Sequence, residues 1–218
     1  MILVPVKNLE DAKQRLSPVL NAAERRELAQ AMLEDVLAAL AQWRKRPPVT
    51  VVTSDVHARR RAQELGFGII GDHENSGETD AIAMATRSVE SSGAQWTLVV
   101  PADVPLVQAH EFERILHAAP AEGTVLVPAA DGRGTNAALR RPAALFPLRF
   151  GDDSFLPHRR AAEATGRAVV VLELPGLALD VDRPADLLAL LEAKNTCRAQ
   201  HLLRSWNLEE RLTAARYA

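Results

Sequence analysis

"NAAERRELAQAMLEDVLAAL", residues 21–40, lies between two short apolar runs, "ILVPV" (residues 2–6) and "PVTVVTS" (residues 48–54). Asn21 is a favoured N-cap, Glu24 supplies the other half of a capping box, and Leu28, Met32, Val36 and Leu40 fall along one helical face. The flanking runs are continuous in Val, Ile and Leu rather than alternating, the pattern of strands covered on both faces. Strand, crossover helix and second strand form a βαβ unit, and a crossover of this length predicts parallel pairing.

The same alternation continues along the chain. "FGIIG" (67–71), "WTLVVP" (96–101), "TVLVPA" (124–129) and "AVVVLEL" (168–174) read as further strands. Helices are expected from His57 to Leu65, from Thr79 to about Ser91, from about Gln108 to Ala118 and from Leu156 to Thr165, with Gly66, Gly93 and Gly166 as stops after three of them. These elements predict a three-layer α/β/α domain with a mostly parallel, mixed sheet over residues 1–194. Residues 195–218 are expected to form a helical extension, in which Leu202, Leu203, Trp206 and Leu212 make an apolar stripe. Such a stripe packs on its own domain or on a second copy of the chain in a homodimer.

Composition narrows the function. The 218 residues carry 26 Lys and Arg against 28 Asp and Glu, so no global field gathers nucleic acid or an anionic membrane, and anion binding has to be local. A single cysteine, Cys197, precludes an internal disulfide and a cysteine-based zinc cluster, and favours a reducing compartment. With neither a signal-peptide pattern nor an apolar span, a soluble cytoplasmic protein is expected.

Chemistry concentrates where strands end. In "VVPADVPL" (99–106) a lone carboxylate, Asp103, follows an apolar strand at the edge where open α/β sheets bind ligands. An Asx turn would be its plain structural reading. "LALDVDRPADLLALL" (177–191) places Asp180 and Asp182 two apart in an extended segment, with both carboxylates on one side. Asp182 or Asp186 could serve the helix that Pro184 opens, but that gives no reason for Asp180. Together the three form an all-oxygen set suited to Mg²⁺ or Mn²⁺. "DGRGTNAAL" (131–139) offers Thr135 and Asn136, and "FGDDSFLPH" (150–158) offers Gly151 and Ser154 before a helix, as phosphate or carboxylate contacts; either could be plain loop chemistry. "PVKNLEDAKQRLS" (5–17) supplies Lys7, Lys13 and Arg15 for a nucleotide triphosphate, with a solvated helix face as the alternative. His158 is retained as a candidate substrate contact.

The ordered set "VPVKNLEDAKQRLS", "VPADVPL", "GRGTNAALRRP", "FGDDSFLPH" and "LDVDRPADL" resembles the small guanylyltransferases of coenzyme F-420 biosynthesis. That family has the nucleotide-diphospho-sugar transferase fold, which is GT-A-like and Rossmann-like. The resemblance implies Mg²⁺ on Asp103, Asp180 and Asp182, with Lys13 beside them in the catalytic set. It also implies GTP near Lys7, Lys13 and Arg15, and a small phosphorylated three-carbon acid at Thr135, Asn136, Gly151 and Ser154. The acid is phosphoenolpyruvate, 2-phospho-L-lactate or 3-phospho-D-glycerate, and its phosphate attacks the α-phosphorus of GTP with release of pyrophosphate. A phosphate monoester is already anionic, so no strong general base is required. "HENSGETDAIAMA" (73–85) departs from the family, placing Glu78 and Thr79 at the nucleotide; Glu78 either reads guanine or supports the helix that follows. Another nucleotidyltransferase of this fold, or a non-catalytic nucleotide-binding module, are the competing readings. The first usually has a glycine-rich loop after its first strand, which is absent here, and the second would dispense with a metal carboxylate.

Overall fold

The computed structural model describes residues 1–72 and 77–216, with only the backbone of 213–216 described. Among these residues seven strands form one sheet: β1 (Ile2–Pro5), β2 (Val49–Val52), β3 (Gly68–Ile70), β4 (Thr97–Val99), β5 (Gly123–Pro128), β6 (Thr135–Arg141) and β7 (Ala168–Val171). Their order is β3-β2-β1-β4-β6-β5-β7. Neighbours pair in parallel except that β6 runs antiparallel to both β4 and β5.

β6 corrects the sequence reading, which took residues 131–139 as a loop. Its residues Thr-Asn-Ala-Ala-Leu-Arg-Arg lack the β-branched run of the other strands, yet the first six are buried between two neighbours. Because β6 is reversed, its N-terminal end reaches the edge where the parallel strands have their C-terminal ends. Thr135 thereby joins the residues that follow β1 and β4.

Side chains alternate across the sheet as strand geometry demands. Ile2, Val4, Val51, Leu98, Val125 and Leu139 face one layer, packing on α1 (Ala22–Gln42), α2 (Val56–Glu64) and α4 (Ala109–Ala118), where Trp43 stacks on Phe112. Leu3, Val52, Val99, Leu126 and Ala138 face the opposite layer of α3 (Glu78–Ser91) and α5 (Phe155–Glu163). The capping box at Asn21 and Glu24 is formed as the sequence predicts.

A short helix α6 (Pro175–Ala178) and then α7 (Pro184–Glu192) follow β7. Asp180 and Asp182 lie between them in a segment outside any strand, contrary to the expectation of carboxylates at a strand end. The extension forms two helices, α8 (Arg198–Ser205) and α9 (Leu208–Arg216), separated where Asn207 adopts φ 51°. Leu203, Leu208 and Leu212 are buried with Leu28 and Met32 of α1 and with Leu187 and Leu190 of α7. Of the apolar stripe, Leu203 and Leu212 thus belong to the chain's own core and Trp206 packs partly against it, while Leu202 lines a surface groove with Ala31 and His201. Tyr217 and Ala218, at the end of the expected extension, lie outside the described residues. No helix among the described residues is long and apolar enough to cross a membrane.

Candidate active site

Three segments converge beyond the C-terminal ends of β1 and β4. After β1 the chain runs through Lys7 into a loop tethered by Asp55. One oxygen of that carboxylate accepts from the Leu9 N–H at 3.1 Å, and the other caps α2 through the Ala58 N–H at 2.9 Å. The loop ends at Lys13, whose backbone is left-handed at φ 56°, a conformation uncommon outside glycine and informative when a functional group sits there. Asp103 follows β4, and its carbonyl oxygen accepts from the Val181 N–H at 3.1 Å, which draws the Asp180–Asp182 segment alongside. Asp186 accepts from the backbone N–H groups of Asp182 and Arg183, serving the N-terminus of α7 and leaving the Asp182 carboxylate available.

The lysine ammonium sits between two of the three predicted carboxylates, with Nζ 2.5 Å from Asp103 Oδ2 and 2.6 Å from Asp182 Oδ1. Asp103 is thus paired with Lys13, ninety positions away in sequence, a pairing the sequence reading did not make. Asp180 instead accepts from Asn136 Nδ2 at 3.0 Å. No three His, Cys, Asp or Glu side chains among the described residues are grouped closely enough to hold a metal ion.

Electrostatics follow from this geometry. Burial opposes the charge of Lys13, yet Asp103 and Asp182 more than reverse it and raise its pKa. For Asp182 the upward push of burial is overcome by Lys13, then Arg15 and Arg183, which hold the carboxyl below its ordinary value. Asp180 is raised, by burial first and then by the like charges of Asp103 and Asp182, against its bond from Asn136. The cluster retains surplus negative charge on hard oxygen donors, a chemistry that fits a divalent cation once Lys13 is drawn to another anion.

Two cavities meet here. The first, of about 530 Å³, is lined by Pro5, Val6, Lys7, Lys13, Met32 and Gly77 among others; the second, of about 580 Å³, by Arg15, Arg133, Thr135, Asn136, Gly151 and Ser154 among others. Lys7, Glu78, Pro101, Asp103 and Asp182 line both. Glu78 opens α3 behind Gly77, whose φ of 117° suits glycine. Its carboxyl is pushed up to about 7 by burial and by Asp103, against the pull of Lys7 and Lys13. Glu78 thus stands at the junction, facing the charged centre as much as the first cavity. Residues 73–76, the rest of the departing stretch before Gly77, lie outside the described residues.

Several predicted contacts are committed to the protein. Thr79, expected at the nucleotide, lines neither cavity, and its hydroxyl accepts from the Phe150 N–H at 3.0 Å. Asn136 lines the second cavity, but its amide nitrogen donates to Leu177 O, Ala178 O and Asp180, so it fixes the carboxylate segment. Arg15 donates to both oxygens of Asp152 at 2.9 and 3.0 Å, and Arg133 pairs with Asp153. Gly151, at φ 143°, lets the acidic loop turn between these partners. His158, expected as a substrate contact, is 1% exposed and lines neither cavity, so it does not face either space directly.

The sequence reading missed Asp152, Asp153 and Glu111. Glu111, buried at the start of α4, accepts from the Gly176 N–H at 2.8 Å and so anchors α6, which leads to Asp180. Its spacing from Gln108 was a capping-box signal for α4, but the link to Gly176 has no sequence signature.

Comparisons with known proteins agree with this architecture. Residues 1–215 match the family model described as guanylyl transferase CofC like. Over 204 residues the chain is 39% identical to the phosphoenolpyruvate guanylyltransferase of Roseiflexus castenholzii, covering 94% of this chain and 93% of that protein. It is 34% identical to the 2-phospho-L-lactate guanylyltransferase of Methanothermobacter thermautotrophicus, covering 93% and 88%. Against the 3-phospho-D-glycerate guanylyltransferase of Colwellia psychrerythraea it is 33% identical, covering 94% and 98%. A crystal structure from Desulfovibrio desulfuricans, described as a nucleotide-diphospho-sugar transferase, superposes with a TM-score of 0.77 at 19% identity, covering 96% of each chain.

Proposed function

The chain belongs to the guanylyl transferase CofC-like family, and from that premise we propose that it transfers GMP from GTP to the phosphate of a small phosphorylated three-carbon acid in coenzyme F-420 biosynthesis. The phosphate oxygen of the acid bonds to the α-phosphorus of GTP, the bond to the β-phosphate oxygen breaks, and pyrophosphate leaves. The observation that carries this reading is the meeting of two cavities at Lys7, Glu78, Asp103 and Asp182. A nucleotide in the first and an acid in the second would bring two phosphates to one charged centre, and alignment of this kind lowers the barrier without a dedicated base.

In this reading Lys7, Lys13 and Arg15 bind the triphosphate. Lys13 exchanges its carboxylate partners for phosphate oxygens, and Arg15 does the same with Asp152. Thr135, Gly151 and Ser154 receive the acid, while Asn136 keeps Asp180 in place from behind. Asp103, Asp180 and Asp182 would hold Mg²⁺ or Mn²⁺, which when bound offsets charge on the phosphate oxygens. Purified protein, GTP and Mg²⁺ incubated with phosphoenolpyruvate, 2-phospho-L-lactate and 3-phospho-D-glycerate in competition, with products read by mass spectrometry, test the proposal. One acid should yield a guanosine diphosphate-linked product with equimolar pyrophosphate. Absence of any such product from all three, with folded protein, would reject it.

A further inference from the structure

Behind the second cavity, His158 donates and accepts in an order that can be read without ambiguity. The backbone N–H of Arg149 points at His158 Nε2 at 2.8 Å, and an N–H can only donate, so Nε2 carries a lone pair. The ring is then neutral with its proton on Nδ1, because a ring with neither nitrogen protonated would be an anion. Its surroundings agree. His158 is buried, with the Phe150 ring edge-on at 5.2 Å, and burial together with the charge of Arg140 pushes its pKa down to about 4.

Nδ1 lies 2.9 Å from Thr135 Oγ1, so the ring donates and the threonine oxygen accepts. The hydroxyl proton of Thr135 is left to donate elsewhere, and no acceptor among the described residues takes it. Thr135 lines the second cavity although only 5% of it is exposed. Ser154 repeats the arrangement beside it, its Oγ accepting from the Thr135 N–H at 3.1 Å.

We infer that His158 is a positioning residue that fills one lone pair of the Thr135 hydroxyl and so biases it to donate its proton to the anionic acid in the second cavity. This rests on the acceptor reading of that cavity proposed above. Two adjacent hydroxyls, each accepting one N–H from behind, keep their protons free for the cavity. Such a wall suits carboxylate or phosphate oxygens, which can only accept.

The test uses whichever of the three acids the wild type turns over, and compares wild type, T135V, H158F, H158N and T135V/H158F. Phenylalanine keeps the ring packing and removes both hydrogen bonds, whereas the asparagine amide nitrogen can take the place of Nδ1. H158F should raise KM for the acid about tenfold while KM for GTP stays within about twofold, the size expected for one hydrogen bond to a charged group. H158N should recover most of that loss, and H158F should add nothing in the T135V background. In parallel, nitrogen-15 spectra of the wild type at pH 7 should show His158 as the neutral Nδ1–H tautomer. Effects of H158F and T135V that multiply, an unchanged KM for the acid, or an Nε2–H or doubly protonated ring would each overturn the inference. If H158F does not fold, H158N and the wild-type spectrum decide in the same way. A folded wild type that turns over none of the acids would reject the acceptor reading itself, and the tautomer, which needs no turnover to observe, would still be tested.

Discussion

Replacing Lys13 with methionine removes the one ammonium between Asp103 and Asp182 while keeping most of the side-chain volume. Truncating one partner of a fully buried ion pair costs about 3–5 kcal/mol. Here the lysine side chain is 10% exposed but those of Asp103 and Asp182 are 26% and 39% exposed. Water recovers part of their charge, so the expected loss at pH 7 is about 1–3 kcal/mol. The sign with pH is fixed by the two shifts. Asp182 is held below its ordinary value, so its contribution is present above the unfolded carboxylate value and is lost as pH falls through the lower folded value. Lys13 is raised, so its contribution is present below the unfolded lysine value and is lost as pH climbs through the higher folded one. The difference between wild type and K13M should therefore be flat across neutral pH and shrink below about pH 4. Urea denaturation at pH 7 and pH 3.5 measures it. K13M also leaves Asp103 and Asp182 without their ammonium, beside Asp180, so Mg²⁺ should raise its Tm more than it raises that of wild type in the absence of nucleotide. Equal stability of the two proteins at pH 7, or a difference that persists unchanged at pH 3.5, would refute the reasoning.

Asp180→Asn removes a like charge while its side-chain oxygen still accepts from Asn136, so metal-free stability should hold or rise while turnover is lost; melting and pyrophosphate release check the two halves. Glu78 has a raised folded pKa of about 7, so its charge weighs against the fold as pH rises from about 4 to about 7; E78Q should match wild type at pH 4 and exceed it by about 1–3 kcal/mol at pH 8 in denaturant titrations. Because Glu78 faces the charged junction, the ratio of kcat/KM for GTP over ATP should change little in E78Q, and a collapse of that ratio would return it to base reading. Gly176→Ala would drive a Cβ into the Glu111 carboxylate and to 2.6 Å from Leu106 O. A stability loss of about 1–3 kcal/mol is expected, with activity falling further because α6 leads to Asp180; full activity would show that the anchor is dispensable.

The parallel strands and α1 were legible because continuous Val, Ile and Leu runs and a capping box are local signals. β6 was not, since its burial comes from lying between β4 and β5, and nothing in Thr-Asn-Ala-Ala-Leu-Arg-Arg announces two covering neighbours. The loops that line the two cavities were picked out by residue type, but their pairings were not. That Lys13 would meet Asp103, or that Thr79 would hold Phe150, depends on approach across 90 and 71 positions respectively. His158 shows the same limit: its place in the sequence, four residues after Ser154, suggested substrate, whereas the fold turns it inward to Thr135.

The reversed strand also puts a seam in the sheet between β4 and β6. The β3-β2-β1-β4 side carries most of the first cavity, and the β6-β5-β7 side with α5 carries much of the second. Within the sheet they touch along three residue pairs, Thr97 with Arg140, Leu98 with Leu139 and Val99 with Ala138. Arg140 fastens that border by donating to Thr97 and Thr86 at 3.2 and 2.9 Å. Changes confined to the loops at residues 129–134 and 149–154 would leave that border untouched, and of the contacts described they would alter the pair that Arg15 makes with Asp152. Grafting residues 123–171, which keeps β5 with the two strands it pairs with, between relatives named for different acids becomes a route to new products, provided that Arg140 meets threonines at 86 and 97 in the recipient.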